Sequence, residues 1–347
     1  MTAKPIVLFD PLPRQRALIF DESQWRRLNE IAEIVGSEDT KVDDATVERV
    51  LPEVEVVIGQ TALGRERLRR AKKLRAIVNV EGNFLQNVDY ETCFERGVQP
   101  LVIAPAFALP VAEWALGAAI DLARGLTHGD RVFRGGHELY GLSGNRNSFL
   151  LTGADMGFVG FGNLGRALLP LLQPFRPTLR IHDPWLPDGA IRAAGAEPAS
   201  LDKVLSKSRV IFVLAGVTTE NAALLDRDRL MRVRRDAAIV LASRAALVDF
   251  ESFVLLAECG RFRAATDVFP REPVDADDPV RRSNLLLSAH RAGGIPEAFS
   301  TIGEMVVEDV ALILKGLPPA RLQAARRETV GRLRSPPGRS YAKGTKR

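Results

Sequence analysis

The hydrophobic residues of this chain are concentrated in short apolar runs, separated by longer segments with helical periodicity. Short continuous apolar runs are typical of strands that are buried on both faces of a parallel sheet. Strand and helix patterns alternate along the whole chain, which predicts an α/β protein with crossover helices. The strands predicted in the first part of the chain are Ile6–Phe9, Val54–Ile58, Ala76–Val80 and Leu101–Ile103.

The helical segments between these strands are amphipathic, and the longer ones have clear start or stop signals. Pro110 suits the first turn of a helix over Pro110–Arg124, and Gly316 with the two prolines after it ends a last helix over Pro296–Leu314. Residues 125–150 are polar and rich in Gly and Asn, so we predict a connection there. Shorter helices are predicted over Glu22–Val35, Arg65–Lys72 and Tyr90–Arg96.

The second part of the chain repeats this alternation, and with 347 residues the protein is long enough for two domains. Because both halves have the same α/β pattern, periodicity alone leaves the domain boundary open. The strands predicted in this part are Met156–Val159, Leu179–Asp183, Val210–Leu214, Ala238–Leu241, Ala264–Thr266 and Leu285–Leu287.

The composition is that of a soluble globular protein, with 46% hydrophobic and 26% charged residues. No apolar run approaches membrane-span length, and the strand predicted at Ile6 begins too early for a signal peptide to precede it. The two cysteines, Cys93 and Cys259, have neither metal-ligand spacing nor a disulfide framework, so we expect no metal site and a reducing, cytoplasmic location.

The net charge of +5 is unevenly distributed. Residues 321–347 contain nine Lys and Arg and a single acid, Glu328, so residues 1–320 together carry a net charge of −3. The basic character therefore belongs to the end of the chain, where Pro, Gly and Ser follow Ser335. We expect a flexible, solvated tail over 326–347, and binding to nucleic acid is not expected because no binding motif accompanies the charges.

A glycine motif near mid-chain predicts a bound dinucleotide. Gly160, Gly162 and Gly165 form the pattern GxGxxG between a predicted strand and a predicted helix, and Asp183 follows eighteen residues after the last glycine, at the end of the next strand. In such a motif the glycines allow a tight turn, close approach of a pyrophosphate and close packing of helix on strand. The acid would accept hydrogen bonds from the ribose hydroxyls and repel a 2′-phosphate, which favours NAD over NADP.

Three polar residues in the last third of the chain follow predicted strands and are suited to hydride-transfer chemistry. Arg244 can hold a carboxylate at two points, and His290 is the histidine best placed to act as general acid and base. Glu272, in a loop between prolines, can hydrogen-bond to an imidazole and hold its tautomer. Ligands of open α/β sheets bind at the carboxyl ends of the strands, where all three residues are expected.

Four ordered motifs resemble those of the D-isomer-specific 2-hydroxyacid dehydrogenases. The segment Gly82–Asp89 and the residues Val111–Glu113 are similar to that family's substrate loop and hinge helix. The four motifs, for nucleotide, arginine, glutamate and histidine, are Thr152–Gly165, Ala242–Asp249, Thr266–Pro273 and Ser288–Gly294.

The resemblance implies two Rossmann-like domains, a flavodoxin-like substrate domain and a doubly wound NAD-binding domain, with the active-site cleft between them. The substrate domain is expected over 1–115 and 297–325, and the NAD-binding domain over 116–296. It also implies a homodimer.

The roles implied by the resemblance extend beyond the three catalytic candidates. Asn163, Leu164, Ala215, Ser243 and Asp267 would join the glycines and Asp183 in binding NAD, with Asp267 at the carboxamide. Backbone groups of Val80, Glu81, Gly82 and Asn83 would contact the substrate carboxylate, and Phe107 and Arg291 would lie near the substrate's side chain.

Departures from the family pattern leave the substrate open. Phe107 stands where many relatives have a small or polar residue, and Arg291 is a cation that either meets an acidic group of the substrate or forms a structural ion pair. We predict an NAD-dependent dehydrogenase for a small D-2-hydroxy acid, or a reductase of glyoxylate or hydroxypyruvate type, with phosphoglycerate oxidation as a variant. The alternative is a dinucleotide-sensing, corepressor-like binding protein; a formate-type dehydrogenase is disfavoured because that branch has Gln at the position of Glu272.

Overall fold

The computed structural model describes residues 3–334 and divides them into two compact α/β units. The first unit contains the residues up to Phe107 and those from Ile295 onwards, and the second unit is Ala108–Gly294. Each unit contains a mainly parallel sheet, which confirms the predicted fold class. The first boundary lies earlier than the predicted residue 115, because the helix that begins at Ala108 packs against elements of the second unit.

The first unit has a six-stranded sheet in the order β13-β5-β4-β3-β1-β2, in which only β13 is antiparallel to its neighbour. Its strands are β1 (Ile6–Asp10), β2 (Glu33–Gly36), β3 (Val54–Gly59), β4 (Ala76–Asn79), β5 (Gln99–Val102) and β13 (Gln323–Ala324). Its helices are α1 (Arg16–Ile19), α2 (Glu22–Ile31), α3 (Asp44–Val50), α4 (Arg65–Arg70), α5 (Tyr90–Glu95), α13 (Pro296–Leu314) and α14 (Arg327–Val330).

The predicted helix Glu22–Val35 is wrong at its carboxyl end. The helix begins correctly, because the Asp21 side chain accepts the backbone N–H of Gln24 and the Gln24 side chain accepts that of Asp21. It ends at Ile31, and Glu33–Gly36 then pairs in parallel with β1 as an edge strand. An apolar run this short is compatible with a helix or a strand, and here the pairing with β1 makes it a strand.

The second unit has a seven-stranded parallel sheet in the order β12-β11-β10-β9-β6-β7-β8. Its strands are β6 (Asp155–Val159), β7 (Thr178–His182), β8 (Glu197–Pro198), β9 (Val210–Val213), β10 (Ala238–Leu241), β11 (Arg263–Thr266) and β12 (Leu286–Leu287). Its helices are α6 (Ala108–Arg124), α7 (Leu126–Arg134), α8 (Asn163–Leu172), α9 (Asp188–Ala193), α10 (Leu201–Lys207), α11 (Arg227–Arg232) and α12 (Phe250–Glu258).

Helices cover the two faces of this sheet, and the central strands β9 and β10 are buried along their whole length. This burial is the physical reason for the continuous apolar runs in the sequence. The prediction that no apolar run approaches membrane-span length is wrong for one helix, because residues 104–124 are long and apolar enough to cross a membrane by length and composition. Half of that window is buried, and α6 packs against α8 and β10, as the core helix of an α/β unit does.

The predicted flexible tail over 326–347 is wrong for its first part. Residues 327–330 form α14, which packs against α5 and buries Val330. The Arg327 guanidinium lies 3.1 Å from Glu91 and 5.4 Å from the ring centroid of Phe94. Arg327 therefore has partners within the fold, and residues 335–347 lie outside the described residues.

Candidate active site

The loops that carry the predicted residues of the second unit all follow parallel strands of one sheet. They come after β7, β6, β9, β10, β11 and β12, which are consecutive in the sheet. Because parallel strands end at the same edge, the fold brings the glycine loop and the residues around Ala215, Arg244, Asp267 and His290 to one edge.

The first and last glycines of the motif are required by close packing. Gly160 has φ +93°, and a Cβ there would lie 2.5 Å from Cα of Ala215. A Cβ on Gly165 would lie 2.9 Å from the Phe161 ring and 3.2 Å from the carbonyl oxygen of Gly160. Ala215 thus lies directly beside the turn, and a side chain at either glycine would displace the loop.

Gly162 differs from its two neighbours, because a Cβ there would meet no atom of the protein within 4 Å. This glycine precedes α8, whose first residues are Asn163 and Leu164 and whose amino end carries the positive end of the helix dipole. A tight turn with open space at its middle glycine, at the start of a helix, fits the pyrophosphate of a dinucleotide.

Asp183 is tied to the glycine loop by hydrogen bonds that the sequence does not reveal. Its carboxylate accepts the backbone N–H of Phe161 at 2.8 Å and that of Trp185 at 2.9 Å. The residue therefore positions the loop in addition to any contact with a ribose. Ser243 is also engaged, because its hydroxyl donates to the carbonyl of Val213 at 3.1 Å and joins the ends of β9 and β10.

Glu272 and His290, eighteen residues apart in the chain, form a direct pair. Nδ1 of His290 lies 2.6 Å from Oε2 of Glu272, and the other carboxylate oxygen accepts the N–H of Phe269 at 2.9 Å. With Nδ1 engaged, Nε2 is the ring nitrogen left for proton exchange. The His290 side chain is 46% exposed, so a substrate can reach it.

Asp267 holds the backbone on which His290 lies. It is buried, and its two carboxylate oxygens accept the backbone N–H groups of Arg291 at 2.8 Å and Ala292 at 3.0 Å, while its carbonyl accepts that of His290 at 2.8 Å. Its contact with a carboxamide stays a prediction, but its role in positioning His290 is visible in these bonds.

Arg244 lies in the same part of the second unit, half-buried, and donates from Nη1 to the carbonyl of Ser243 at 2.7 Å. Burial lowers the pKa of its guanidinium, and the nearby charge of Glu272 acts in the opposite direction. Arg291 is exposed, and among residues 3–334 no acidic side chain forms an ion pair with it, so the structural ion pair considered for it is not found.

The predicted substrate residues of the first unit follow β4 and β5. The Val80 side chain is fully buried in the core, so only its backbone is available to a ligand. Glu81 is also buried and is paired with Arg14, whereas Gly82 and Asn83 are partly exposed. The Phe107 ring lies against Gly82, with Cδ2 3.6 Å from the position that a Cβ on that glycine would take.

Arg14 was missed by the sequence analysis. It lies in the loop after β1, and β1, β4 and β5 are parallel strands of one sheet, so the rule that identified Arg244 and His290 applies to it as well. Its position after a predicted strand could have indicated it, but a lone arginine between Pro13 and Gln15 has no motif around it.

The family model of the D-isomer specific 2-hydroxyacid dehydrogenase NAD-binding domain matches residues 116–292. That match covers just over half of the chain, which therefore belongs to the family of D-isomer specific 2-hydroxyacid dehydrogenases. The second unit is accordingly a pyridine-nucleotide-binding domain.

Individual relatives support the same assignment. The chain is 41% identical to a phosphoglycerate oxidoreductase from Rhizobium etli of known crystal structure, with a TM-score of 0.85 over 94% of this chain and 100% of that one. It is 25% identical to a D-3-phosphoglycerate dehydrogenase of Archaeoglobus fulgidus over 78% of this chain and 51% of the relative. A glyoxylate reductase of Korarchaeum cryptofilum is 26% identical over 72% of this chain and 76% of the relative. The chain spans about half the length of the phosphoglycerate dehydrogenases that it matches.

Proposed function

We propose that this protein is an NAD-dependent oxidoreductase that interconverts a small D-2-hydroxy acid and its 2-oxo acid. The observation that carries the proposal is the 2.6 Å contact between Nδ1 of His290 and Oε2 of Glu272, in the same part of the second unit as Arg244. An imidazole held by a carboxylate beside a half-buried guanidinium is suited to proton exchange with a hydroxyl group on an anionic substrate.

In the oxidation, Nε2 of His290 takes the proton of the C2 hydroxyl as the hydride leaves C2 and the carbonyl forms. In the reduction, the same nitrogen returns that proton. Glu272 keeps Nδ1 engaged and stabilises the imidazolium, and Arg244 binds the substrate carboxylate and the C2 oxygen. Arg244 thereby also stabilises the negative charge that develops on that oxygen.

The residues proposed to hold NAD are those of the glycine loop and the strand ends beside it. The fit rests on Gly162 and on the amino end of α8. A Cβ at Gly162 would meet no protein atom within 4 Å, whereas a Cβ at Gly160 or Gly165 would clash with neighbouring atoms. NAD, when bound, supplies a hydride acceptor, and NADH a hydride donor. The proposed contacts are Gly160, Gly162, Asn163, Leu164, Gly165, Asp183, Ala215, Ser243 and Asp267.

The proposed substrate contacts in the first unit are backbone groups of Val80–Asn83 and the Phe107 ring. The names of the relatives, a D-3-phosphoglycerate dehydrogenase and a glyoxylate reductase, support a substrate with a carboxylate next to the reacting carbon. We propose a substrate of this kind and a cytoplasmic location.

We propose that the chain forms a homodimer through the segment 126–150, which we call the arm. The helix α7 within it has no buried residue, and the segment exposes more large apolar side chains than any stretch of similar length in the described residues. A concentration of exposed apolar side chains in one segment is typical of protein interfaces, and a second copy of this chain is the proposed partner. The exposed residues are Leu126, Phe133, Leu139, Tyr140, Leu142 and Leu150.

The function is tested by NADH consumption with a panel of 2-oxo acids, from glyoxylate and hydroxypyruvate to branched, aromatic, dicarboxylic and phosphorylated acids. Turnover of any member is the expected result. If NADH binds and no member is reduced, the proposed dehydrogenase activity is wrong. Light scattering on the same preparation tests the dimer, with Phe133→Asp expected to give monomers.

A further inference from the structure

An ion pair between Arg14 and Glu81 is buried in the first unit, whereas the residues assigned to hydride transfer belong to the second unit. Nε of Arg14 lies 3.0 Å from Oε1 of Glu81, and Nη2 donates to Oε2 at 3.3 Å. The two residues are 7% and 4% exposed. Burial raises the pKa of Glu81, and the charge of Arg14 opposes this rise. A buried pair of this kind costs desolvation energy, so its position calls for an explanation other than stability.

Glu81 belongs to the loop that is proposed to bind the substrate carboxylate. Its own N–H donates to Oδ1 of Asn79 at 3.1 Å, and its carbonyl accepts the N–H of Ile103. The next N–H, that of Gly82, has no hydrogen-bond acceptor among residues 3–334. The residue with the buried carboxylate therefore directly precedes, in the chain, a backbone donor that is available to an anion.

Arg14 also contacts two aromatic rings. Its guanidinium carbon lies 5.9 Å from the ring centroid of Phe107 and 5.4 Å from that of Phe299. The two rings meet edge to face, with centroids 6.2 Å apart and an angle of 82°. Because Phe107 packs on Gly82, the guanidinium is in contact with both the acid and the ring that border the loop.

We propose that Arg14 is a specificity-determining positioning residue, which neutralises Glu81 and thereby allows the loop at Gly82 to bind an anionic substrate. Without Arg14, the ionised form of Glu81 would repel the substrate carboxylate through a medium of low dielectric constant. With Arg14 in place the pair is neutral as a whole, and the Gly82 N–H attracts the substrate anion. This inference rests on the proposed function, because it takes a 2-oxo or 2-hydroxy acid as the ligand of the loop.

Each of the two single variants breaks this pair, but one leaves a negative charge and the other a positive charge. An electrostatic role predicts opposite effects of the two variants on substrate binding, and a purely structural role predicts similar effects. In the full-length protein, Arg14→Met leaves the acid alone, and we expect it to raise KM for the best 2-oxo acid of the panel about tenfold or more. Glu81→Gln leaves the cation alone, and we expect KM to stay the same or fall. The double variant Arg14→Met/Glu81→Gln should return KM to within about threefold of the parent value. In Arg14→Met we expect kcat to change less than KM.

Arg67→Met is the matched control, because Arg67 pairs with Asp44 and Glu48 in the same unit but at its surface. It should leave KM unchanged. The inference is overturned if Arg14→Met and Glu81→Gln raise KM to a similar degree, or if the double variant is worse than either single variant. If the parent protein reduces no 2-oxo acid and does not bind oxalate in the presence of NADH, the proposed function itself fails and the inference fails with it.

Discussion

Nδ1 of His290 lies 2.6 Å from Oε2 of Glu272, and His290 holds this position with a backbone φ of +53°. That left-handed conformation is uncommon for residues other than glycine, although His, Asn and Asp adopt it more often than most. Strained backbone of this kind is concentrated at functional sites. Here it is maintained by Asp267, which accepts the N–H groups of three successive residues.

The variant His290→Asn tests the acid–base role without changing the preferred backbone conformation, since Asn tolerates a positive φ. We expect kcat to fall about a thousandfold, because general acid–base catalysis contributes on that order. NADH affinity, measured by fluorescence titration, should be unchanged. Residual activity near that of the parent would show that another group transfers the proton.

Glu272→Gln tests the partner of that histidine. The amide retains a hydrogen-bonding group of the same size but no negative charge, so the imidazolium loses its stabilisation and kcat should fall about tenfold to a hundredfold. Steady-state kinetics on the same 2-oxo acid measure the loss. An unchanged kcat would mean that the pair serves only to order the loop.

Arg244→Lys tests the anchor for the carboxylate. Lysine keeps the positive charge but cannot hold a carboxylate at two points, so we expect kcat/KM to fall about tenfold or more while NADH affinity is retained. If lysine supports the parent value of kcat/KM, a point charge is sufficient and the two-point contact is wrong.

The glycine loop offers a matched pair of substitutions. Gly160→Ala combines a positive φ with a Cβ that would lie 2.5 Å from Ala215, so we expect it to lower the free energy of unfolding by about 1–3 kcal/mol and to weaken NADH binding. Gly162→Ala meets no protein atom within 4 Å, so the melting temperature should be retained while NADH affinity falls. Equal effects of both substitutions on the melting temperature would contradict a cofactor role for Gly162.

Asp183→Asn tests cofactor choice. Asparagine keeps an acceptor for the Phe161 N–H, which Asp183→Ala would remove together with the charge. We expect the preference for NADH over NADPH, measured as a ratio of kcat/KM values, to fall about tenfold. A ratio that does not change would mean that the ribose contact has been misplaced.

Arg291→Gln tests whether the exposed cation next to His290 contacts the substrate. With no ion pair to it among the described residues, the remaining interpretation is a contact with a second acidic group. We expect the variant to lose kcat/KM about tenfold on a dicarboxylic or phosphorylated 2-oxo acid and to keep it on glyoxylate. An equal loss on both classes would rule out the contact.

The sequence by itself determined the α/β class, most strands and the Glu272–His290 candidates, because each depends on local signals. Buried parallel strands require apolar runs, and a dinucleotide loop requires glycines at fixed spacing, so both leave direct traces in the sequence. The apolar run Val210–Val213 and the positions of Gly160 and Gly165 are examples in which the local pattern and the packing agree.

Tertiary structure decided the features that depend on residues far apart in the chain. Glu33–Gly36 became a strand because β1 was available to pair with it, and α14 became ordered because α5 accepted Val330 and Arg327. The partners of Asp183 and the burial of Glu81 against Arg14, 67 positions away, were settled in the same way. Such contacts depend on the packing of the whole unit. A given residue type can pair with many others, and only the fold determines which partner lies within reach.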